Sequence, residues 1–492
     1  MLAAMTLPNA SQNKLNDPAR RHWLQAASAL AAMAALTPWT AGAAALPPVV
    51  RVATLADELA AGRTSALAVV EQLLGRAQAG NGEGARCFST VHAAQARATA
   101  QAIDTWRREG RTLPPLAGVP VAVQDVLDEA GQPTRASSPL RAQAAPATHD
   151  AASVRRLRDA GLVLLGRTRS TELAWPGLGL LAADETPRNR FDRPQGRVPG
   201  GGAAGAAVAV ADGMVAAAIA NDAGGGLRVP AALNGLVGWK PTARRVPQAG
   251  LLPLSPTLDS IGVIAHSVDD CALLDGVLAG QPPRPATGPL LRGLRLALPT
   301  TLVQDELAPE VAYAFQVAVA RLAAAGVQIV ELALPAFASA AALAPLAGAE
   351  AQAAHGALLA GGKAPQDARV LAALQAGATL DTNARQALQA RRSAFIAEVG
   401  AAAGGFDALL LPSTQDSAVT LAQAAADGAG KLRERALRNA ALVNFFDGCA
   451  LTLPCQAPDK APVGLTLAGL AGSDARVLGV GRSVAALLAS AA

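Results

Sequence analysis

Two stretches of the chain pass from a helical pattern of apolar positions through a glycine into a short apolar run. In Ala151 to Leu165 a helix around Val154–Arg158 stops at Gly161, and Leu162 to Leu165 follows as a strand. Pro309 to Leu334 repeats the design: Pro309 suits a first helical turn, Gly326 the stop and Val327 to Leu332 the strand. Ser267 ahead of Cys271 to Leu278 reads as a helix cap, with Asp270 near the positive end of the dipole. Alternation of this kind predicts an α/β fold with helices packed on a mostly parallel or mixed sheet. The proline-rich segment Gln281 to Gly288 reads as a loop joining two halves, and Ala336 to Gly362 and Lys363 to Arg392 read as helical.

Composition adds scale and a destination. The 492 residues are 51% hydrophobic and 16% charged, enough to bury a large core, and only 3% aromatic. Much of the apolar fraction is alanine, so helices should pack closely through small side chains. Near the start, Arg20-Arg21 precedes the apolar run Ala26 to Leu36 and the small-residue stretch Thr40 to Ala45. The run is too short to span a bilayer and fits a twin-arginine export signal occupying residues 1–45, cleaved after Ala43 or Ala45. The remainder, 46–492, is then expected in the periplasm or outside the cell, with no membrane span after the signal is removed.

The formal charge of +5 falls to +3 without residues 1–45, which carry Lys14, Arg20 and Arg21 against Asp17. No run of Lys or Arg marks a nucleic-acid footprint. Cys87, Cys271, Cys449 and Cys455 form no CxxC and read as buried small residues. His22, His92, His149, His266 and His355 are isolated in sequence, read as surface or loop residues and offer no metal site. Gly200-x-Gly202-x-x-Gly205 satisfies GxGxxG, but the segment before it, Asn189 to Pro199, reads as a loop where a dinucleotide fold requires a strand. No cofactor is expected.

Three motifs carry the chemistry. LAGVPVAVQD, Leu116 to Asp125, resembles the LxGxPxxVKD segment of the amidase signature family, with Gln124 at the lysine position. PGGGAAGAA, Pro199 to Ala207, is similar to that family's PGGSSGGSA loop; Gly202 and Ala203 stand at the two adjacent serines, the first of which is the family's bridging serine in a cis peptide. NDAGGGLRVP, Asn221 to Pro230, resembles TDTGGSIRxP, and Gly226 stands at the acylated serine. The resemblance continues in order through Asp150–Thr168, Gly235–Thr242, Leu258–Ala279, Phe406–Pro412 and Leu453–Leu465. It implies the amidase signature fold, a large mixed β-sheet core sandwiched by α-helices.

In the family a serine attacks the amide carbonyl, a second serine relays its proton, and a neutral lysine is the base. Glycine supplies no nucleophile, and a glutamine amide has no useful basicity. With Gln124, Gly202 and Gly226 in those places, the resemblance implies a pseudoenzyme. Such a protein would serve as a binding or partner subunit for a small amide or acyl ligand or for a protein. One alternative is an active amidohydrolase using Ser137, Ser138 or Cys455. Another is a structural subunit of an exported assembly. Backbone N–H groups at Ala223, Gly224 and Gly225 are expected to converge where an oxyanion would sit. Asp125, Asp222, Arg228 and Lys240 are expected to hold the loops as scaffold ion pairs. The glycines should leave a little open space, so restoring the side chains should be tolerated.

Overall fold

One sheet runs through the molecule in the order β1-β3-β2-β4-β6-β5-β10-β11-β9-β7-β8. Its strands are β1 (Phe88–Val91), β2 (Pro120–Gln124), β3 (Val163–Thr168), β4 (Ala217–Asn221), β5 (Val237–Lys240), β6 (Ile261–Ala265), β7 (Arg295–Pro299), β8 (Gln328–Leu332), β9 (Ala408–Pro412), β10 (Cys449–Pro454) and β11 (Gly464–Gly469). The computed structural model describes residues 49–181, 185–428 and 430–490, within the unit Leu46–Ala492. The segment read as an export signal lies outside the described residues.

The sheet is mixed. β2 pairs in parallel with β3 and β4, and β7 with β8 and β9, while β4 through β9 across the centre are joined antiparallel. The central strands β2, β3, β4, β5 and β6 are buried along their whole length, which explains their continuous apolar runs in place of alternation.

Six helices bear on the site: α1 (Ala152–Asp159), α2 (Ala204–Ala211), α3 (Arg228–Leu233), α4 (Val268–Ala279), α5 (Pro309–Ala324) and α6 (Lys431–Phe445). α1 with β3 and α5 with β8 are the two helix–glycine–strand units of the sequence, and Gly161 and Gly326 take positive φ at 74° and 92°. Ser267 caps α4 by accepting the N–H of Asp270 at 3.1 Å. The stretch from Ala336 to Arg392 is helical but broken into short pieces before the longer Thr382–Ala403 helix.

Successive side chains of β5 show the sandwich directly, because neighbours on a strand point to opposite faces. A Cβ on Gly238 would meet Ala231 of α3 at 2.7 Å, whereas the next residue, Trp239, donates its indole N–H to Asp275 of α4 at 2.9 Å. α3 and α4 therefore cover opposite faces, and glycine at 238 is what lets α3 lie so close. α2 is buried on every side, as its all-small sequence allows.

The described cysteines are all free; Cys87, Cys271 and Cys449 are buried and Cys455 is partly so. Two histidines correct the surface expectation. His92 lies in the interior with Nε2 2.8 Å from Glu129, and His355 is buried against the Pro253 carbonyl at 2.6 Å. Among the described residues no helix is long and apolar enough to cross a membrane.

Candidate functional site

β2 and β4 are parallel neighbours, so their C-terminal residues, Gln124 and Asn221, end side by side. The loop after β4 carries Gly226 into α3, and the loop before α2 carries Gly202. The fold thus gathers all three positions singled out by the sequence. They are tied together by hydrogen bonds among themselves. The carbonyl of Gly226 accepts the N–H groups of both Gly202 and Ala203 at 2.9 Å. The Gln124 amide, fully buried, closes the arrangement: Nε2 donates to the Gly202 carbonyl at 3.3 Å, and Oε1 accepts the N–H of Asn221 at 2.8 Å. A glutamine amide is both donor and acceptor, and this position uses both. Every peptide bond among the described residues is trans, the one entering Gly202 included.

The open space expected at the glycines is absent, because a main-chain carbonyl stands close to each α-carbon. A Cβ on Gly202 would lie 2.9 Å from the Ala174 carbonyl oxygen, and one on Gly226 would lie 2.7 Å from that of Asn221. Both approaches are shorter than a side chain tolerates without a shift of the main chain. Gly224 is the roomier position, with only Pro176 at 4.0 Å.

The glycine N–H groups also differ from expectation. Gly224 and Gly225 turn theirs toward the carboxylate of Asp222, at 3.3 and 2.7 Å, instead of toward a common empty point. Asp222 is completely buried and accepts two further donors from Arg228, Nε and Nη2, each at 3.0 Å. Burial alone would raise its pKa, but the Arg228 charge and hydrogen bonds, with Lys240 nearby, outweigh that and hold the carboxyl well below its ordinary value. Asn444 of α6 completes the knot, donating to the Asp222 carbonyl at 2.8 Å and accepting from Arg228 Nη2 at 2.6 Å.

Of the other charged positions, Asp125 pairs with Arg167 at 3.0 Å, both buried. Lys240 departs from the ion-pair expectation: its ammonium donates to the carbonyls of Pro241 and Gly448 at 2.9 and 2.6 Å. Burial first, then repulsion by Arg228, brings its pKa down to about 8. Asp259 accepts the Asn221 side-chain amide at 2.7 Å and the N–H groups of Leu254 and Ser255, and burial pushes its pKa up to about 7. Asp259 sits inside a segment the resemblance covers, so an acid there was readable; Asn444, from 222 residues along the chain, had no local signal.

The substitute nucleophiles are all engaged. Ser137 Oγ accepts the N–H of Ser170 at 3.2 Å, and Ser138 Oγ donates to Glu172 at 2.6 Å while accepting from Leu140 N–H. Cys455 packs against Val311, Ala314 and Val463, and burial pushes its thiol up to about 12. A thiol so protonated is a poor nucleophile.

The family model described as "Amidase" matches residues 68–478. This chain belongs to the amidase family. A 2-amino-5-chloromuconic acid deaminase of Comamonas testosteroni is 34% identical over 432 residues, covering 82% of the chain and 88% of that protein. One subunit of a glutamyl-tRNA(Gln) amidotransferase from Moorella thermoacetica is 38% identical over 279 residues, covering 54% of the chain and 55% of that protein. Among solved structures, a crystal structure described only as an amidase superposes with TM-score 0.81 at 32% identity, covering 89% of the chain and 99% of that one. A second, described as a vestigial protein complex revealing the origins of an s-triazine catabolic enzyme, gives TM-score 0.78 at 27% identity, covering 88% and 98%. These amidases share the mixed sheet and its helices, the amidase signature fold.

Proposed function

We propose that this chain is an exported amidase that has kept the fold and lost amide hydrolysis, and that it acts by binding a small amide or acyl ligand. The observation that carries the reading is the Gln124 amide. It spans from Gly202 to Asn221 where the family resemblance calls for a base, with both glycine loops closed on the space that two serine side chains would need. A site without nucleophile, relay or base lacks each element of acyl transfer at once. Ser137, Ser138 and Cys455 do not restore it, since each already has a structural partner or a buried, protonated thiol.

The names of the relatives support carbon–nitrogen compounds as the ligand class: one is a deaminase of 2-amino-5-chloromuconic acid, another an amidase. Export rests on the Arg20-Arg21 segment and the small-residue stretch that ends at Ala45. A protein partner is the second reading, supported by the structural neighbour described as a vestigial complex. Native mass spectrometry of protein isolated from its own compartment separates the two. A retained small molecule supports ligand binding, and a stoichiometric protein with no small molecule overturns it in favour of assembly.

A further inference from the structure

Two carboxylates hold one serine. Asp259 Oδ2 accepts the N–H groups of Leu254 and Ser255 at 3.0 and 3.1 Å. Glu350 Oε2 accepts the Ser255 hydroxyl at 2.6 Å and the N–H of Thr257 at 3.0 Å, and its Oε1 takes the Thr257 hydroxyl. The remaining bonds are to the Asn221 amide, 2.7 Å from Asp259, and the Gln389 amide, 3.3 Å from Glu350. All of these donors are neutral, and neither carboxylate makes an ion pair among the described residues.

Glu350 belongs to the helix Pro345–His355. The last residue of that helix, His355, is buried with Nε2 2.6 Å from the Pro253 carbonyl. One helix therefore clasps the loop at Pro253, Ser255 and Thr257. Gly348 of the same helix lies so near the helix Ala368–Ala378 that its Cβ would stand 3.1 Å from the Ala373 carbonyl oxygen, and the two helices form a hairpin. The link between them carries no buried residue across 356–362, and Gly361 and Gly362 sit at φ 74° and 77° with open space about both. Beyond the clasp, the Asp367 N–H donates to Glu172 at 2.7 Å. Through Asn221, whose N–H is bonded to Gln124, the loop also reaches the three motif positions.

The charges around Asp259 leave Glu350 opposing it. The Asp222–Arg228 pair, joined to this segment through the Ser260 backbone, neutralises itself. Lys240 is spent on the Pro241 carbonyl, which also accepts the Ser260 hydroxyl, and on that of Gly448. Burial favours the neutral Asp259 carboxyl most strongly; the Asn221, Ser255 and Leu254 donors oppose it, Glu350 adds to it, and the pKa rises from 3.8 to about 7. A carboxyl raised in this way contributes stability that is complete below 3.8 and is lost as pH rises through 7. His355, facing Arg141, is shifted downward by burial, so its protonation falls on the acid side of that window.

We propose that the hairpin 345–378 is a flap clasped to the loop 253–259 by Glu350 and His355, and that ionisation of Asp259 loosens the clasp. A second negative charge on Ser255 then faces Glu350 with no cation between them. The device stands whether or not the protein binds a ligand.

Hydrogen exchange of the whole protein, read as protection factors so that the intrinsic pH dependence of exchange is removed, tests it. Between pH 6 and 8.5 the amides of 345–378 are expected to lose about ten-fold in protection, the effect of one pKa unit of coupling, while those of α5 hold. Asp259→Asn, which cannot ionise, should flatten the dependence. Glu350→Gln, which keeps an acceptor for Thr257, should move its midpoint to lower pH. Constant protection across the range, an equal loss in α5, or a loss that either variant leaves unchanged overturns the proposal. If Asp259→Asn does not fold, Glu350→Gln decides, and an unmoved midpoint overturns it.

Discussion

Gly226 accepts the N–H of Gly202 through its carbonyl at 2.9 Å, so the two positions where the family resemblance calls for serines are joined backbone to backbone. The two loops meet through main chain and share a fully buried glutamine amide.

The first consequence concerns Gln124. Lysine has three donors and no acceptor, so Gln124→Lys would strand the buried N–H of Asn221 and add a charge beside Gly202. The expected cost is about 3 kcal/mol or more, against about 2 for Gln124→Met, which removes both hydrogen bonds without the charge. Urea unfolding measures both, and a lysine variant as stable as the parent would show that the amide is not what holds the loops.

Restoring the β-carbons should also carry a penalty. Gly202→Ala and Gly226→Ala each push a methyl group against a backbone carbonyl, at 2.9 and 2.7 Å, and the expected loss is about 1–3 kcal/mol apiece. Thermal unfolding of the two variants beside Gly224→Ala, where there is room, gives the comparison; the Gly224 change should cost least. Combining Gly202→Ser and Gly226→Ser with Gln124→Lys is then expected to unfold the site before it rebuilds a triad.

Lys240 makes stability depend on pH in the alkaline range. Its folded pKa, about 8, lies below the ordinary 10.5, so the folded state resists protonating it. The associated stability is present above 10.5 and is lost as pH falls through 8. Stability should therefore rise between those values, by at most about 1.4 kcal/mol per pH unit. In Lys240→Met that rise should disappear. An identical slope in parent and variant would assign the dependence to another group.

The export reading has its own check. Arg20→Lys with Arg21→Lys is expected to leave the precursor in the cytoplasm, as seen by fractionation and immunoblotting; unaltered export of the double variant would rule out the twin-arginine route.

What was readable in the sequence was what local pattern controls. Gly161 and Gly326 marked helix ends because the chain needs positive φ there, and Ser267 marked a start because its hydroxyl accepts from Asp270. The positions of Gln124, Gly202 and Gly226 came from motifs. Their arrangement did not, because it depends on groups brought from far along the chain: Ala174 against Gly202, Asn444 on Asp222, Arg433 over Pro176. α2 is an instructive case. Built of alanine, glycine and valine, it has no polar face to reveal its orientation, and it is buried all round. Glycine in a sequence suggests open space, yet a position without a side chain equally lets main chain lie close, as the Ala174 and Asn221 carbonyls do.

Loss of amide hydrolysis is read from ammonia release. The purified protein would be incubated with a panel of aliphatic, aryl and carboxylate-bearing carboxamides, alongside a heat-killed sample. No release above that control is the result predicted. Turnover that co-purifies with the protein and disappears on Ser138→Ala would contradict it, and would move the nucleophile to the hydroxyl beside Glu172.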